Sequence, residues 1–272
     1  MEKTALYTLA EKVFAETSGN CFEGVTMFEL PLLGIGSPDD ALFEKYREEG
    51  VIGPWYIPPK TWLPSCASVA VFFFPFSEQV RRSNRAEKDR PSQEWLYGRI
   101  EGQQFLNGFM RGMLKALSDK GLEAVAPILD PRFAQMSHGT GIPGVRRDEN
   151  TFGATWSDRH AAYVCGLGTF GISRNLLTEK GTAGRFASLL LSASIPADPR
   201  PYTGVYDYCT LCGACAARCP VGAIDMKKGK DVARCAAFLG ETSRKFSPRY
   251  GCGLCQTCTP CETKLPVRRK QQ

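Results

Sequence analysis

The chain has 272 residues, of which 43% are hydrophobic and 23% charged, and its formal net charge is +6. This length allows one sizeable domain plus a smaller module, because domains cluster near ~100–150 residues. No stretch approaches the ~18–20 apolar residues of a membrane span, which argues against an integral membrane protein, and the positive charge alone does not establish a nucleic-acid partner.

The first predicted element is a helix at the N-terminus. Its sequence, MEKTALYTLAEKVFAETSG, places Leu6, Leu9, Val13 and Phe14 at helical spacing and mixes acidic with basic residues. A secretory signal would instead need a basic start followed by an apolar run. We therefore expect a cytoplasmic protein, in which twelve cysteines favour metal ligation over disulfides because that compartment keeps thiols reduced.

Helices and strands are predicted to alternate through the rest of the first 200 residues. Ser37 and Pro38 are typical of a helix start, and the predicted helix runs to Gly50. The apolar run SVAVFFFPF predicts a buried strand, and large apolar residues three and four apart predict a long helix ending at Gly121. The remaining predicted elements are a strand at 122–129, a polar loop to about 155, a helix from Ser157 and a strand at 185–195.

Cysteine usage divides the chain near residue 200. Cys21, Cys66 and Cys165 are the cysteines of the first 208 residues, whereas nine fall between 209 and 261. The segment ADPRPYTG (197–204) contains two prolines and a glycine, a composition typical of a linker. We therefore expect one domain at 1–200 and a small metal-binding domain at 201–272.

The segment CTLCGACAARCP supplies Cys209, Cys212, Cys215 and Cys219, followed by Pro220. Its spacing, C-x2-C-x2-C-x3-C-P, is that of bacterial ferredoxins, in which the first three thiolates bind one [4Fe-4S] cluster and the fourth binds a second cluster. A zinc site would instead need two separated pairs of ligands. We therefore predict iron–sulfur clusters here.

A second cluster needs three ligands besides Cys219, and Cys235, Cys252 and Cys255 can complete it. The first cluster then lacks one ligand, which must be Cys258 or Cys261. Nine cysteines thus compete for eight positions, and one is spare. Two neighbouring clusters would pass electrons one at a time, so the chemistry is expected in the larger domain.

The segment GLGTFG (166–171) matches the G-x-G-x-x-G fingerprint of dinucleotide-binding folds. That fingerprint must follow a strand and open a helix, with an acidic residue about twenty positions later. Here the preceding residues predict a helix, and positions 186 to 192 contain no carboxylate. We expect Gly166, Gly168 and Gly171 instead to let the backbone approach a neighbouring element or a bulky cofactor.

Several stretches together resemble the epoxyqueuosine reductase family. They are SDRHAAYVCGLGTFG continuing to RFASLLLSASI, then YCTLCGACAARCPVGAI, RCAAFLGE and YGCGLCQTC, which span about 157–262. The resemblance implies an α+β architecture, with a nitroreductase-like α/β domain that binds cobalamin, followed by a small ferredoxin-like module that binds two [4Fe-4S] clusters. It also implies a reaction in which two electrons pass through the clusters to cobalt and reduce an epoxide on a tRNA nucleoside or a related small molecule.

The resemblance also suggests catalytic residues. In this family an aspartate after a strand is placed as proton donor to the opening epoxide, and an acidic residue and an arginine start the next helix. Asp130 holds the first position and Asp158 with Arg159 the second, but 27 residues, most of them in an insertion, separate the two aspartates. A turn role for Asp130 before Pro131 and a helix-start role for Asp158 are the structural alternatives.

The two histidines, His138 and His160, do not lie in a D-x-H-x-x-G stretch. The corrin of cobalamin is therefore expected to bind without an axial histidine. His160 could relay a proton and Cys165 could approach a cofactor, and a structural role is the alternative for both.

The local sequence favours Cys261 over Cys258 as the eighth cluster ligand, although neither cysteine matches the register of the family. The returning cysteine of the family is followed by proline and would fall at position 259, which is Thr259 here. Pro260 precedes Cys261 and stiffens its approach, and the extra residues extend its reach. The expected electron donor is a protein of ferredoxin or flavodoxin type. The alternatives to a reductase are an electron-transfer protein without a catalytic site and a zinc-dependent nucleic-acid-binding module.

Overall fold

The computed structural model describes residues 1–135 and 153–267. Its helices are α1 (Lys3–Glu16), α2 (Ala41–Lys45), α3 (Pro59–Trp62), α4 (Glu78–Ala86), α5 (Gln93–Ser118), α6 (Asp158–Val164), α7 (Ala214–Ala217) and α8 (Val232–Phe246), with 3-10 turns at Pro127–Leu129 and Leu254–Gln256. Its strands are β1 (Cys21–Phe22), β2 (Val25–Thr26), β3 (Leu32–Gly36), β4 (Ser68–Pro75), β5 (Ala124–Val125), β6 (Gly168–Phe170), β7 (Leu176–Thr178), β8 (Gly184–Leu191), β9 (Ile224–Asp225) and β10 (Gly229–Lys230).

A four-stranded antiparallel sheet in the order β3-β4-β8-β5 organises the larger part of the molecule. Strands β4 and β8 pair over eight residues, from Ser68 opposite Leu191 to Pro75 opposite Gly184. Every residue of β4 is buried, which requires protein on both faces of the sheet and explains why its sequence is an unbroken apolar run.

The two faces of the sheet carry two separate cores. Ala70, Phe72 and Phe74 belong to the core shared with α1 and α5, where Phe109 packs edge-on against both phenylalanines. The alternate residues of β4 belong to a second core, which is rich in aromatic side chains and contains Trp156 and most of α6. The molecule therefore has three layers. Helices α1 and α5 cover one face of the sheet, and α6 with the aromatic loops covers the other.

The mixed helix-and-sheet fold agrees with the sequence, and most predicted elements are confirmed as α1, β4, α5, α6 and β8. The predicted helix from Ser37 to Gly50 is wrong in its bounds. Asp40, whose side chain accepts a hydrogen bond from the Leu42 amide at 3.0 Å, caps the five-residue helix α2. The predicted strand at 122–129 shrinks to β5, because Pro127 starts a 3-10 turn.

The predicted linker at 197–204 lies packed against the larger part. Asp198 accepts hydrogen bonds from Lys3 Nζ at 2.6 Å and from the Ile35 amide at 2.8 Å. Tyr202 is buried in the second core, and its hydroxyl donates to the Tyr163 carbonyl at 2.8 Å. Of the helices in the described ranges, none has the length and apolarity needed to cross a bilayer.

Candidate metal centres and the adjoining residues

Four thiols gather around the loop that leads into α7. Burial, together with the nearby thiols of Cys255, Cys261, Cys209 and Cys212, raises the pKa of the Cys215 thiol to about 12. Cys209, Cys212, Cys215 and Cys261 line one pocket at the protein surface. We call these four residues the outer set.

A second group of thiols surrounds Cys252. Burial raises its pKa to about 12, and the thiols of Cys255, Cys235 and Cys219 add to the rise. Burial likewise raises the pKa of Cys235, whose neighbours include Cys255 and Cys219. We call Cys219, Cys235, Cys252 and Cys255 the inner set.

The donor chemistry of both sets fits a [4Fe-4S] cluster, which is held by four cysteine thiolates. The thiols repel one another when ionised, and bound iron supplies the positive charge that would offset this repulsion. In the ranges 1–135 and 153–267, no three His, Cys, Asp or Glu side chains converge as a single metal ion requires. A cubane makes no such demand, because each thiolate binds a different iron atom.

Two glycines shape the loops that carry the cysteines. Gly213 follows Cys212 with φ +77, and Gly253 follows Cys252 with φ +68, a left-handed conformation that favours glycine. A side chain at Gly253 would also overlap the ring of Trp95. Each C-G-x-C segment thus turns tightly enough to direct two thiols to the same side.

Helices α4 and α5 support these loops from the larger part. Asn84 donates to the Cys252 carbonyl at 3.3 Å and to Thr257 Oγ1 at 3.2 Å. The buried carboxylate of Glu262 accepts from Arg85 Nε at 2.8 Å and from the Cys258 amide at 2.8 Å. These contacts fix the cysteine loops to a folded scaffold.

Cys258 and Cys261 occupy different positions. The Cys261 thiol is half-buried within the outer set, with Thr259 Oγ1 3.5 Å from its sulfur. Cys258 is exposed, has φ +56 and does not line the pocket formed by the outer set. The arrangement therefore favours Cys261 as the eighth ligand, and this assignment stays a prediction.

Two hydrogen bonds to cysteine sulfur were not foreseen from the sequence. Asn175 Nδ2 donates to Cys255 Sγ at 3.5 Å, and the Ala223 amide donates to Cys219 Sγ at 3.2 Å. Hydrogen bonds to the sulfurs help to set cluster reduction potentials. Both bonds belong to the inner set, and neither donor lies in a motif that would have indicated it.

The structure gives Asp130 a turn role. Its carboxylate forms an ion pair with Arg132 at 2.7 Å and accepts the Arg132 amide at 2.9 Å. The hydrogen bond from this guanidinium lowers the pKa of Asp130. A proton donor at neutral pH needs the opposite shift, so the predicted catalytic role of Asp130 is disfavoured on physical grounds.

Asp158 has the environment that Asp130 lacks. Burial raises the pKa of its carboxyl group, against the effect of hydrogen bonds from Ser188 at 2.6 Å and Trp156 Nε1 at 3.2 Å. The side chain turns towards β8 and the aromatic core and does not cap α6, whose N-cap residue makes no side-chain bond to the helix backbone. A carboxyl group in such a site can hold a proton near neutral pH.

His160 and Cys165 are built into the second core. His160 Nδ1 lies 2.7 Å from Ser157 Oγ, and the ring packs on Tyr46 and Phe170. Burial, with a smaller contribution from Arg159, lowers the pKa of His160 to about 3, so the ring is neutral at pH 7. Cys165 is fully buried, and burial raises its pKa well above the ordinary range. Both observations favour the structural alternatives. His138 lies outside the described residues.

The glycine segment follows helix α6 and leads into strand β6. A dinucleotide-binding segment follows a strand and leads into a helix, so the structure agrees with the rejection of that motif. A side chain at Gly166 would meet the Pro199 carbonyl oxygen at 2.6 Å, and one at Gly168 would overlap the Leu177 carbonyl. These two glycines therefore permit close approach of a neighbouring element. Gly171 lies at the pocket of the outer set, where a side chain would be 3.8 Å from Cys209 Sγ. Cofactor binding by the three glycines stays a prediction.

For cobalamin the described residues give a weaker fit than for the clusters. Gly166 and Gly168 are closely approached by the Pro199 and Leu177 carbonyl groups, and His160 is enclosed by Ser157, Tyr46 and Phe170. Within residues 1–135 and 153–267, the His160 ring is therefore not open to a corrin.

Comparisons with known proteins support the clusters and the fold. A 4Fe-4S binding domain model matches residues 202–225. Epoxyqueuosine reductase from Streptococcus thermophilus superposes with a TM-score of 0.53 at 16% identity, covering 97% of this chain and 68% of that one. An epoxyqueuosine reductase bound to a modified tRNA stem loop gives 0.53 at 17%, covering 96% and 67%. A reductive dehalogenase described as B12-dependent gives 0.52 at 14%, covering 87% and 30%.

The chain has the fold of these reductases. The resemblance stated from the sequence is thereby confirmed at the level of structure, and it extends over nearly the whole chain. The chain spans about two thirds of the epoxyqueuosine reductases and less than a third of the dehalogenase. No curated protein sequence matches it.

Proposed function

We propose that this chain is an iron–sulfur reductase in which two [4Fe-4S] clusters carry electrons from an external donor to a site beside α6. The outer cluster would be held by Cys209, Cys212, Cys215 and Cys261, and the inner cluster by Cys219, Cys235, Cys252 and Cys255. The proposed division is a substrate and cofactor domain at 1–200, of nitroreductase type, and a ferredoxin-like module at 201–272, in a cytoplasmic protein.

The order of the two cysteine sets carries this proposal. Cys212 of the outer set is exposed, whereas Cys255 of the inner set lies near Arg159 at the start of α6. Cys215 and Cys255 also lie close enough for their thiols to influence each other. Electrons entering at the outer set would therefore leave the inner set next to Asp158 and Arg159.

The surface beside the outer set suits an acidic electron donor. Tyr206, Leu211 and Met226 are large apolar side chains that remain exposed there, at 53%, 55% and 41%. Lys227 and Lys228 follow them, and residues 201–272 carry twelve Lys and Arg against five Asp and Glu. Apolar contact within a positive field favours a negatively charged partner, such as a ferredoxin or flavodoxin.

Cobalamin is proposed as the electron acceptor on the strength of the similarity to the B12-dependent dehalogenase. It would supply a cobalt centre of low potential that can attack or reduce a substrate carbon. The proposed substrate is an epoxide on a tRNA nucleoside or a related small molecule. Asp158 is the proposed proton donor, because burial favours its protonated form and reduction of an epoxide needs a proton for the leaving oxygen.

Anaerobic purification from cells supplied with cobalamin tests the proposal, by metal analysis and an absorption spectrum. The expected result is about eight irons and about one cobalt per chain. Two clusters without cobalt, and no turnover of an epoxidised tRNA stem loop, would favour an electron-transfer protein. Zinc in place of iron, in a colourless protein, would overturn both readings.

A further inference from the structure

Three arginines from different elements come together beside the inner set. They are Arg99 on α5, Arg159 on α6 and Arg185 on β8, and we call them the arginine cluster. Arg185 donates a hydrogen bond to Gln103, which lies one turn after Arg99 on the same helix. The guanidinium of Arg99 stacks 4.5 Å from the ring centre of Tyr250, two residues before Cys252.

The charges of the arginine cluster act on one another. Burial, together with the positive charges of Arg99 and Arg159, lowers the pKa of Arg185 to about 9. Burial lowers the pKa of Arg159 too, and Arg99 is the second cause. A guanidinium group is a permanent cation in proteins near neutral pH. The protein thus holds three like charges in a poorly solvated place, which costs stability unless a negative charge offsets them.

Two part-buried arginines elsewhere in the chain are paired with carboxylates. Arg249 binds Glu101 at 2.6 Å, and Arg200 binds Asp40 at 2.9 Å. Among the described residues, no carboxylate lies within 4.0 Å of any guanidinium of the arginine cluster. Asp158 is the acidic neighbour, but its carboxyl group is engaged by Ser188 and Trp156.

Two polar atoms in the arginine cluster lack a partner as well. Arg99 Nε and Arg185 Nε are buried without a hydrogen bond to any described residue. Arg99, Arg159 and Arg185 are nevertheless only part-buried, so solvent can reach the arginine cluster. Unused donors, uncompensated positive charge and residual access together describe a place prepared for an anion.

We propose that Arg99, Arg159 and Arg185 bind the anionic group, a phosphate or a carboxylate, of a small molecule held beside the inner cluster. The inference deepens the proposed function, on which it rests for the identity of that molecule as substrate or cofactor. The depth of the guanidinium groups suits a compact terminal group better than the backbone of an RNA chain, whose phosphates lie along a surface.

Thermal unfolding of the cluster-loaded protein tests this inference without any turnover. Inorganic phosphate and succinate are titrated separately at constant ionic strength, and the dissociation constant follows from the rise of the melting temperature with concentration. Wild-type protein should be stabilised by at least one of the two. Arg185→Gln and Arg99→Gln should bind that anion roughly tenfold or more weakly, since a charged donor is lost.

Arg111→Gln is the matched control, because Arg111 is exposed on the same helix as Arg99. It should bind the anion as the wild type does. In the absence of anion, Arg185→Gln should melt at a higher temperature than the wild type, because removing one charge relieves the repulsion. A residue needed only for packing would give the opposite shift. Arg185→Lys, which keeps the charge but loses the planar fork, should bind with intermediate affinity.

The inference is overturned if anion raises the melting temperature equally in the wild type, Arg185→Gln and Arg111→Gln. It is also overturned if the wild type binds a short RNA hairpin but neither phosphate nor succinate. Repeating the titration with cobalamin-loaded protein separates the sources. If bound cobalamin weakens binding of the anion, the arginine cluster holds the phosphate of the corrinoid. If the affinity for the anion is unchanged, the arginine cluster is left for a substrate. Anion binding without any reductase activity would sink only the proposed function, whereas reduction without anion binding would sink only this inference.

Discussion

Replacing Cys258 and Cys261 one at a time gives the most direct test of the cluster assignment. Cys261 lies half-buried in the outer set, whereas Cys258 is exposed and outside the pocket that the outer set lines. Cys258→Ala should therefore keep about eight irons per chain, and Cys261→Ala should not. Alanine is preferred to serine, because a serine oxygen can replace a thiolate as iron ligand.

The size of the loss follows from the geometry around Cys261. Its carbonyl accepts the Thr182 amide at 2.9 Å, and the neighbouring carboxylate of Glu262 is held by Arg85. The loop should therefore keep its place when the thiol is removed. Iron should fall from about eight to about seven if one unligated atom leaves, or to about four if the outer cubane is lost.

Anaerobic iron and sulfide analysis, with electron paramagnetic resonance of the oxidised and reduced protein, measures this difference. A three-iron signal in Cys261→Ala would mark loss of a single corner atom. The assignment is refuted if Cys258→Ala loses iron while Cys261→Ala keeps it. If both variants keep about eight irons, the assignment of Cys261 alone is also refuted, because the outer cluster then does not depend on that thiol.

Three further predictions concern the reaction site, the second core and the donor surface. Asp158→Asn keeps an acceptor for both hydrogen bonds and removes the cost of ionising a buried carboxyl group, so its melting temperature at pH 7 should equal or exceed that of the wild type. Because an amide cannot donate the proton that the reaction needs, turnover should fall roughly 10²–10⁴-fold. Because burial lowers the pKa of His160 to about 3, only the unfolded chain gains a proton as pH falls below about 6.5. Denaturant unfolding at pH 7 and 5.5 should show stability falling by up to about 1.4 kcal/mol per pH unit, with a smaller slope in His160→Gln. Charge reversal at both Lys227 and Lys228 should slow reduction by an acidic protein donor roughly tenfold in stopped-flow measurements and leave reduction by dithionite unchanged. Charge reversal at the exposed Lys12 should affect neither rate.

Features determined by neighbours in the sequence could be predicted from it. The apolar run of β4 and the spacing of residues in α5 gave the right elements, because burial on both faces and on one helical stripe leave distinct patterns. The C-x2-C-x2-C-x3-C-P segment was equally informative, since cluster geometry dictates its spacing. The rejection of the dinucleotide fingerprint held for the same reason, as the helix before Gly166 was evident in its sequence.

Features that depend on distant residues could not be predicted. The short helix α2 is capped by Asp40 and not by Ser37. Both residue types can cap a helix, so tertiary contacts decide which of them does. Asp130 looked like a reaction-site residue until its pairing with Arg132 was known. The arginine cluster joins positions 99, 159 and 185, and nothing in the sequence around any one of them shows that the other two are near.

The contacts between the cysteine loops and the larger part bear on whether the chain is a reductase or a passive carrier. Asn84 holds the Cys252 carbonyl, Trp95 lies under Gly253, and Arg85 holds Glu262 beside Cys261. All three supporting residues lie on α4 and α5, and α5 also carries Arg99. A carrier needs only exposed clusters and a loose tether. Here the same helical corner fixes both cysteine sets and one side of the proposed anion site, as the proposed transfer of electrons within the chain requires.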